Sequence, residues 1–180
     1  SGAGESTHTT SYRALTNLKG DLGSWSYDAA IGVMGGHAHD RSRGQFSESG
    51  FTQEVGDPGH LDEASGSLTP VAADFFNVPG GYKIGGPNSA AVLATLFPQY
   101  GFDGTYRQYF IDGSANTSLM QLPAGPLQLS IGAEARHESM VLRPTDNLVA
   151  SDIVGFSLSQ SNGQRNFEAA YTELQIPILK

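Results

Sequence analysis

The chain has 180 residues, enough for one ordinary domain with a hydrophobic core. Its formal charge of −8 and the absence of any Lys/Arg cluster argue against a nucleic-acid partner. The chain has no cysteine, which excludes disulfides, thiolate chemistry and Cys-type zinc sites. Its 23 glycines and 9 prolines exceed the usual combined share of about 12%, and they predict turns and long loops rather than long helices.

No apolar run reaches the roughly 18–20 residues that a membrane-spanning helix needs, which excludes only membrane proteins built from helices. The sequence starts at Ser1 without a Met or a signal peptide. We therefore expect a processed chain or an internal piece of a longer one.

The first structural signal along the chain is a period-two alternation of apolar and polar residues, which predicts β-strands. In the first run the apolar face carries Tyr12, Ala14, Thr16 and Leu18. The opposite face of this run carries Arg13, Asn17 and Lys19. A turn at 20–24 leads to a second run, whose apolar face carries Trp25, Tyr27, Ala29, Ile31 and Val33.

A second hairpin is predicted from about 111 to 138, around the short turn Leu122-Pro-Ala-Gly-Pro126. Its second arm has the clearest alternation of the chain, with one wholly apolar face: Leu127, Leu129, Ile131, Ala133 and Ala135. The facing positions are polar or glycine and include Glu134, Arg136 and Glu138. A fifth strand is expected at roughly 166–179.

Two long polar loops, about 41–104 and 143–164, connect these predicted strands. Within the longer loop, Asn88-Ser89 could cap a short helix before an apolar run. Long antiparallel up-and-down strands, with short turns at one end and long loops at the other, are typical of membrane β-barrels. A soluble antiparallel sheet alternates in the same way, so the pattern alone leaves both interpretations open.

Aromatic residues stand near both ends of the predicted strands. Trp25 and Tyr27 follow a short turn, where the aromatic girdle of a barrel would lie. Tyr106, Tyr109 and Phe110 stand at the opposite end of a strand and would supply a second girdle.

Three passages resemble the barrel of TonB-dependent outer-membrane receptors. Residues 122–139 resemble the family's "LPAGP" turn and the "GAEYRRES" strand after it, and residues 17–30 resemble its "GLKGDLG-WSYDAA" turn. Residues 151–156 and 169–180 resemble its "GDIVGF…AAYAELNIPILK" passage. The matches follow the family's order, and the segment from about 40 to 105 has no counterpart.

The resemblance implies an all-β partial barrel over residues 1–180, about five strands long and without the family's plug domain. It implies an outer-membrane location in a Gram-negative bacterium and active uptake of a bulky nutrient such as a siderophore, cobalamin or an oligosaccharide. Its implied partners are that ligand, outer-membrane lipid and, through the missing plug, the TonB system. It implies no cofactor and no enzymatic activity.

In a barrel wall the polar strand faces would line the lumen. The candidate lumen-facing residues are Arg13, Asn17, Asp28, Asp112, Asn116, Glu134, Arg136 and Glu138. The loop at about 41–104 is the expected ligand-contact segment.

Two other function classes stay open. The first is a soluble antiparallel β-domain that binds a ligand or partner through its long loops. The second is a small hydrolase or metal-dependent enzyme, for which His37, His39 and Asp40 are the best candidate metal ligands, because two His at i, i+2 share a strand face. Further ligands would come from His60, Asp62 or Glu63. Two exposed histidines at a strand end explain the same pattern without a metal.

Overall fold

The computed structural model describes residues 3–62 and 65–178, and its fold is all-β. Strands take 59% of the residues and helices 11%. Five long strands form one open antiparallel sheet: β1 (Gly4–Leu22), β2 (Trp25–Arg43), β5 (Tyr100–Leu122), β6 (Gly125–Pro144) and β7 (Ser161–Gln175). Neighbours in the sheet are neighbours along the chain, apart from the long connection between β2 and β5. The prediction of five long antiparallel strands is confirmed.

The two predicted hairpin turns are shorter than expected. Residues 23–24 join β1 to β2, and residues 123–124 join β5 to β6. Gly23 has a φ of 65°, the left-handed conformation that a two-residue hairpin turn requires and glycine adopts without strain.

The strands also extend beyond their predicted limits at the loop end. β1 begins at Gly4 and β2 continues to Arg43. The residues that extend these strands are mostly polar on both faces. They therefore show no alternation of apolar and polar residues, although their backbone is extended.

The loops contain the remaining elements: α1 (Glu48–Val55), β3 (Leu61–Asp62), β4 (Ser67–Leu68), α2 (Ala90–Leu96) and α3 (Asp146–Val149). The predicted capped helix is confirmed, because the Ser89 hydroxyl accepts a 3.2 Å hydrogen bond from the Val92 amide. α1 was not predicted. Among the described residues no helix has the length and apolar character needed to cross a bilayer.

The chain divides into two compact units. The loop unit combines Ser1–His8, Ala38–Asp103 and Leu142–Ser161, and the sheet unit combines Thr9–His37, Gly104–Val141 and Asn162–Lys180.

The loop unit has a hydrophobic core between its helices. Val55 of α1 packs with Val92 and Leu96 of α2, and four aromatic side chains surround them: Phe51, Phe75, Tyr82 and Phe97. Leu148 and Ile153 of the second loop are also buried.

A carboxylate ties the second loop to the start of α1. Asp152 accepts a 2.6 Å hydrogen bond from the Ser47 hydroxyl and a 2.8 Å hydrogen bond from the Ser49 amide. Ser47 is buried and caps α1 by accepting from the Gly50 amide at 2.9 Å. Burial acts to raise the pKa of Asp152, but these hydrogen bonds outweigh it and lower the pKa below its ordinary value.

The sheet unit has no buried hydrophobic side chain among its described residues. On one side of its sheet, the apolar face, large hydrophobic side chains remain exposed, including Leu18 at 63%, Ile31 at 59% and Ile111 at 56%. The other side is the polar face. A monomeric soluble domain rarely leaves a continuous apolar surface of this kind open to water.

Candidate functional site

The polar face of the sheet unit carries the side chains that the sequence assigned to a lumen. Near the first hairpin turn, Asp28 accepts a 2.9 Å hydrogen bond from Asn17 and forms a 2.7 Å ion pair with Lys19. Asn17 and Asp28 were candidates, and the structure brings them together. Lys19 shares their predicted strand face but is not among the candidate residues.

A second polar group spans β6 and β7. Arg136 lies 3.4 Å from Glu134 and 3.8 Å from Glu138, so the three candidate residues form one ladder. Arg165 of β7 extends it with a 2.6 Å contact to Glu138, whose side chain is only 13% exposed. The Arg136 guanidinium also lies 5.8 Å from the centre of the Phe167 ring, which is within cation–π range.

The other candidate lumen-facing residues, Arg13, Asp112 and Asn116, are not part of these two polar groups. Arg13 and Asp112 line a small hollow of about 230 Å³ together with Glu134 and Arg136. Asn116 is exposed on the same strand as Asp112. Strand alternation places it on the polar face, four residues closer to the turn.

Sequence reasoning missed Arg165 and Phe167 as members of this group. Arg165 stands one residue before the predicted start of the fifth strand. Because β7 begins at Ser161, extending the alternation backwards would have placed both residues on the polar face.

Aromatic rings lie on both faces, which corrects the prediction of a second girdle. Tyr106 donates a hydrogen bond to Gln108, and the Phe110 ring lies over Gly32 on the polar face. Only Tyr109 of the three is on the apolar face, where its ring lies 6.5 Å from that of His137. Tyr12, which packs over Gly35, is a second exposed aromatic residue at this end of the apolar face.

The candidate metal ligands do not converge. His37 Nδ1 lies 3.2 Å from the Thr105 hydroxyl, and His39 Nδ1 lies 2.6 Å from an Asp103 carboxylate oxygen. Asp40 accepts a hydrogen bond from Thr7 on the opposite face of the strand. Within the part of the chain that the structure describes, no three His, Cys, Asp or Glu side chains form a group suited to a metal ion.

The loop residues considered as further ligands add no such group. His60 bonds through Nδ1 with Thr69, at 3.1 Å. Asp62 lies in β3, and Glu63 lies outside the described residues.

Asp103 instead anchors a charged group in the loop unit. Hydrogen bonds from Arg41, at 2.8 Å, and then from His39 hold the pKa of Asp103 below its ordinary value. Arg41 also donates to the carbonyl oxygens of Asp40 and Phe102. These bonds hold adjacent strands together and leave the guanidinium largely occupied.

Comparison of the chain with protein-family models, with curated proteins and with solved structures finds no match.

Proposed function

We propose that the chain forms part of the wall and the outer loops of a β-barrel of the TonB-dependent receptor class, in the outer membrane of a Gram-negative bacterium. Such a receptor takes up a bulky nutrient of the siderophore, cobalamin or oligosaccharide type without changing it chemically. The observation that carries the proposal is the uncovered apolar face of the sheet unit, with a polar face behind it. Lipid is the solvent that suits such a face.

The length of the apolar stretch fits a bilayer. On β2 it runs from Trp25 to Gly35 and on β5 from Tyr109 to Leu119, which is 11 residues in each case. At about 3.3 Å per residue and a tilt of about 40°, such a stretch spans about 25 Å, the height of the apolar band of outer-membrane barrels. Trp25 lies at the turn end of the stretch on β2, and Tyr109 lies at the loop end of the stretch on β5, as interfacial aromatic residues do.

The polar face supports the assignment of a lumen. Its charges form ion pairs between neighbouring strands, including Lys19 with Asp28 and Arg165 with Glu138. Polar residues that alternate with lipid-facing ones line the interior of a barrel. Uptake would need a plug that contacts TonB, as the resemblance implies.

The packed core of the loop unit supports a binding role for the loops. Long loops held by a rigid scaffold commonly carry ligand contacts. We expect the loop at about 41–104, which contains α1 and α2, to contact the nutrient.

A test of the membrane assignment is the solution behaviour of the purified chain. We expect aggregates in water and one defined species in detergent, measured by size-exclusion chromatography with light scattering. A monodisperse monomer in water would contradict the proposal.

The single tryptophan gives a second, more local test, because Trp25 stands at the edge of the apolar stretch. In vesicles we expect Trp25 fluorescence to be quenched best by lipids brominated near the headgroup. A Trp25→Phe, Ile31→Trp variant should be quenched best by lipids brominated near the chain end, since Ile31 lies mid-stretch. If aqueous iodide quenched the tryptophan of wild type and that of the variant equally, the assignment of the apolar face to the lipid would be contradicted.

The second candidate function is a soluble β-domain that binds through its loops. The separate core of the loop unit favours it, because that core does not depend on lipid. The chromatography above separates the two candidates, since only this one requires a monomer in water.

A further inference from the structure

At the end of the sheet unit nearest the long loops, the apolar face becomes polar over a few residues on three central strands. His37 of β2 pairs with Thr105 of β5 at 3.2 Å. The ring of His137 of β6 lies 6.5 Å from that of Tyr109, and its Nδ1 bonds with Asn166 of β7 at 2.6 Å. Arg107 stands between Thr105 and Tyr109 on β5, so strand alternation places it on the same face. We call His37, Thr105, Arg107, His137 and Ser139 the headgroup strip.

Charges in the sheet unit are divided by face. On β2, β5 and β6 the apolar face has no carboxylate among the described residues of this unit, whereas the polar face of the same strands has Asp28, Asp112, Glu134 and Glu138. This division is notable in a chain with 18 acidic and 10 basic residues. Two carboxylates share this face beyond the strip: Glu168 of β7, which lines a shallow hollow with Ala135, and Asp103 of β5, four residues before Arg107. Asp103 is bound by Arg41 at 2.8 Å and by His39 at 2.6 Å.

Arg107 is the cation of the strip and is exposed. No hydrogen bond or ion pair joins it to another described residue. Gly35, whose backbone packs against the carbonyl oxygen of Tyr106, presents no side chain beside it. The guanidinium therefore keeps its five N–H donors for a ligand, in a geometry that suits a phosphate.

We propose that the headgroup strip binds the phosphate groups of anionic lipid headgroups at one surface of the membrane. The inference rests on the proposed function, because it requires the apolar face to lie against lipid. The strip continues the apolar face without a break, so an occupant with an apolar tail and an anionic head fits both surfaces at once. A basic side chain at that level gains from the phosphate charge and has no carboxylate beside it to oppose that gain.

The test is the binding of the full chain to vesicles of phosphatidylcholine, with and without phosphatidylglycerol, at low salt. The measured quantity is the ratio of the two apparent partition coefficients. We expect wild type to prefer the anionic vesicles, and Arg107→Gln to lower that ratio by about fivefold, the effect of one basic side chain at a membrane surface.

Arg13→Gln is the matched control, since Arg13 is an exposed arginine on the same sheet but on the polar face, and its ratio should not change. Arg107→Lys should retain most of the preference, which separates loss of charge from misfolding.

Equal binding of wild type to both kinds of vesicle would overturn the headgroup proposal and leave the membrane assignment intact. So would an Arg107→Gln ratio equal to that of wild type. Failure to bind either kind of vesicle would overturn both proposals.

Discussion

The Asp152 side chain links the second long loop to the start of α1. It accepts from the hydroxyl of Ser47, which is 3% exposed, and from the Ser49 amide, so its loss removes two hydrogen bonds to a charged acceptor. We expect Asp152→Ala to destabilise the loop unit by about 2 kcal/mol, the usual worth of hydrogen bonds to a charged group. Hydrogen exchange of the α1 amides measures the change. Glu48→Gln, a neighbouring exposed acid whose side chain makes no such bond, should leave protection unchanged.

The same carboxylate gives the loop unit a dependence on pH. The pKa of Asp152 in the folded chain lies below the unfolded value of about 3.9, so the unfolded chain takes up the proton first as the pH falls. Its stabilising contribution is complete above about pH 4 and is lost as the pH falls through the folded pKa. Urea titrations over this range should show a shallower acid decline for Asp152→Asn than for wild type. An identical decline in the two proteins would contradict this assignment.

Gly35 is a position in the sheet unit where an added side chain would meet the backbone of the next strand. A Cβ there would lie 2.6 Å from the Tyr12 hydroxyl and 2.7 Å from the Tyr106 carbonyl oxygen, and the latter is backbone that cannot move aside. We expect Gly35→Ala to destabilise the sheet by about 1–3 kcal/mol, as overpacking does. The free energy of unfolding in detergent measures it. Gly163→Ala on edge strand β7, where a Cβ meets nothing within 4 Å, should be nearly neutral.

At the scale of the strand, neighbouring residues of β2 offer a direct comparison of the two faces. Ile31 is on the apolar face and Ala30 on the polar face, one residue apart in the same strand. If the apolar face lies against lipid, Ile31→Arg should cost about 2–4 kcal/mol of folding stability in vesicles, because the charge lies near mid-bilayer. Ala30→Arg should cost far less. Folding titrations in lipid vesicles measure both, and equal costs would contradict a lipid-facing β2.

The long strands were predictable because each carries a period-two pattern over its central residues. The Gly23 turn and the Ser89 cap were also readable, since both depend on local chemistry. α1 was missed because its sequence, Glu48–Val55, has only three apolar positions including its glycine and no clear helical stripe. The assignment of Tyr106 and Phe110 to the girdle was wrong because side chains alternate between the two faces of a strand. Even-numbered residues of β5 lie on the polar face, whereas Tyr109 lies on the apolar face.

At the scale of the molecule, the five-stranded sheet is open, with β1 and β7 at its edges. Both edges present backbone N–H and C=O groups that further strands would have to pair before a lumen is enclosed. We therefore expect vesicles containing only this chain to take up no nutrient and to conduct no ions. Measured uptake would mean that the sheet closes in some other way.

The sequence by itself determined the all-β class, the hairpin turns and which residues alternate onto each strand face, because strand geometry fixes side-chain direction residue by residue. It did not determine which side chains meet across strands. The ladder from Glu134 to Arg165 and the separation of His37 from Asp40 depend on strand pairing, which joins residues far apart in the chain. Tertiary packing also decided that the buried hydrophobic side chains lie in the loop unit and that the apolar face of the sheet stays uncovered. Burial is a property of neighbours in space, and the alternation pattern records only which residues could share a face.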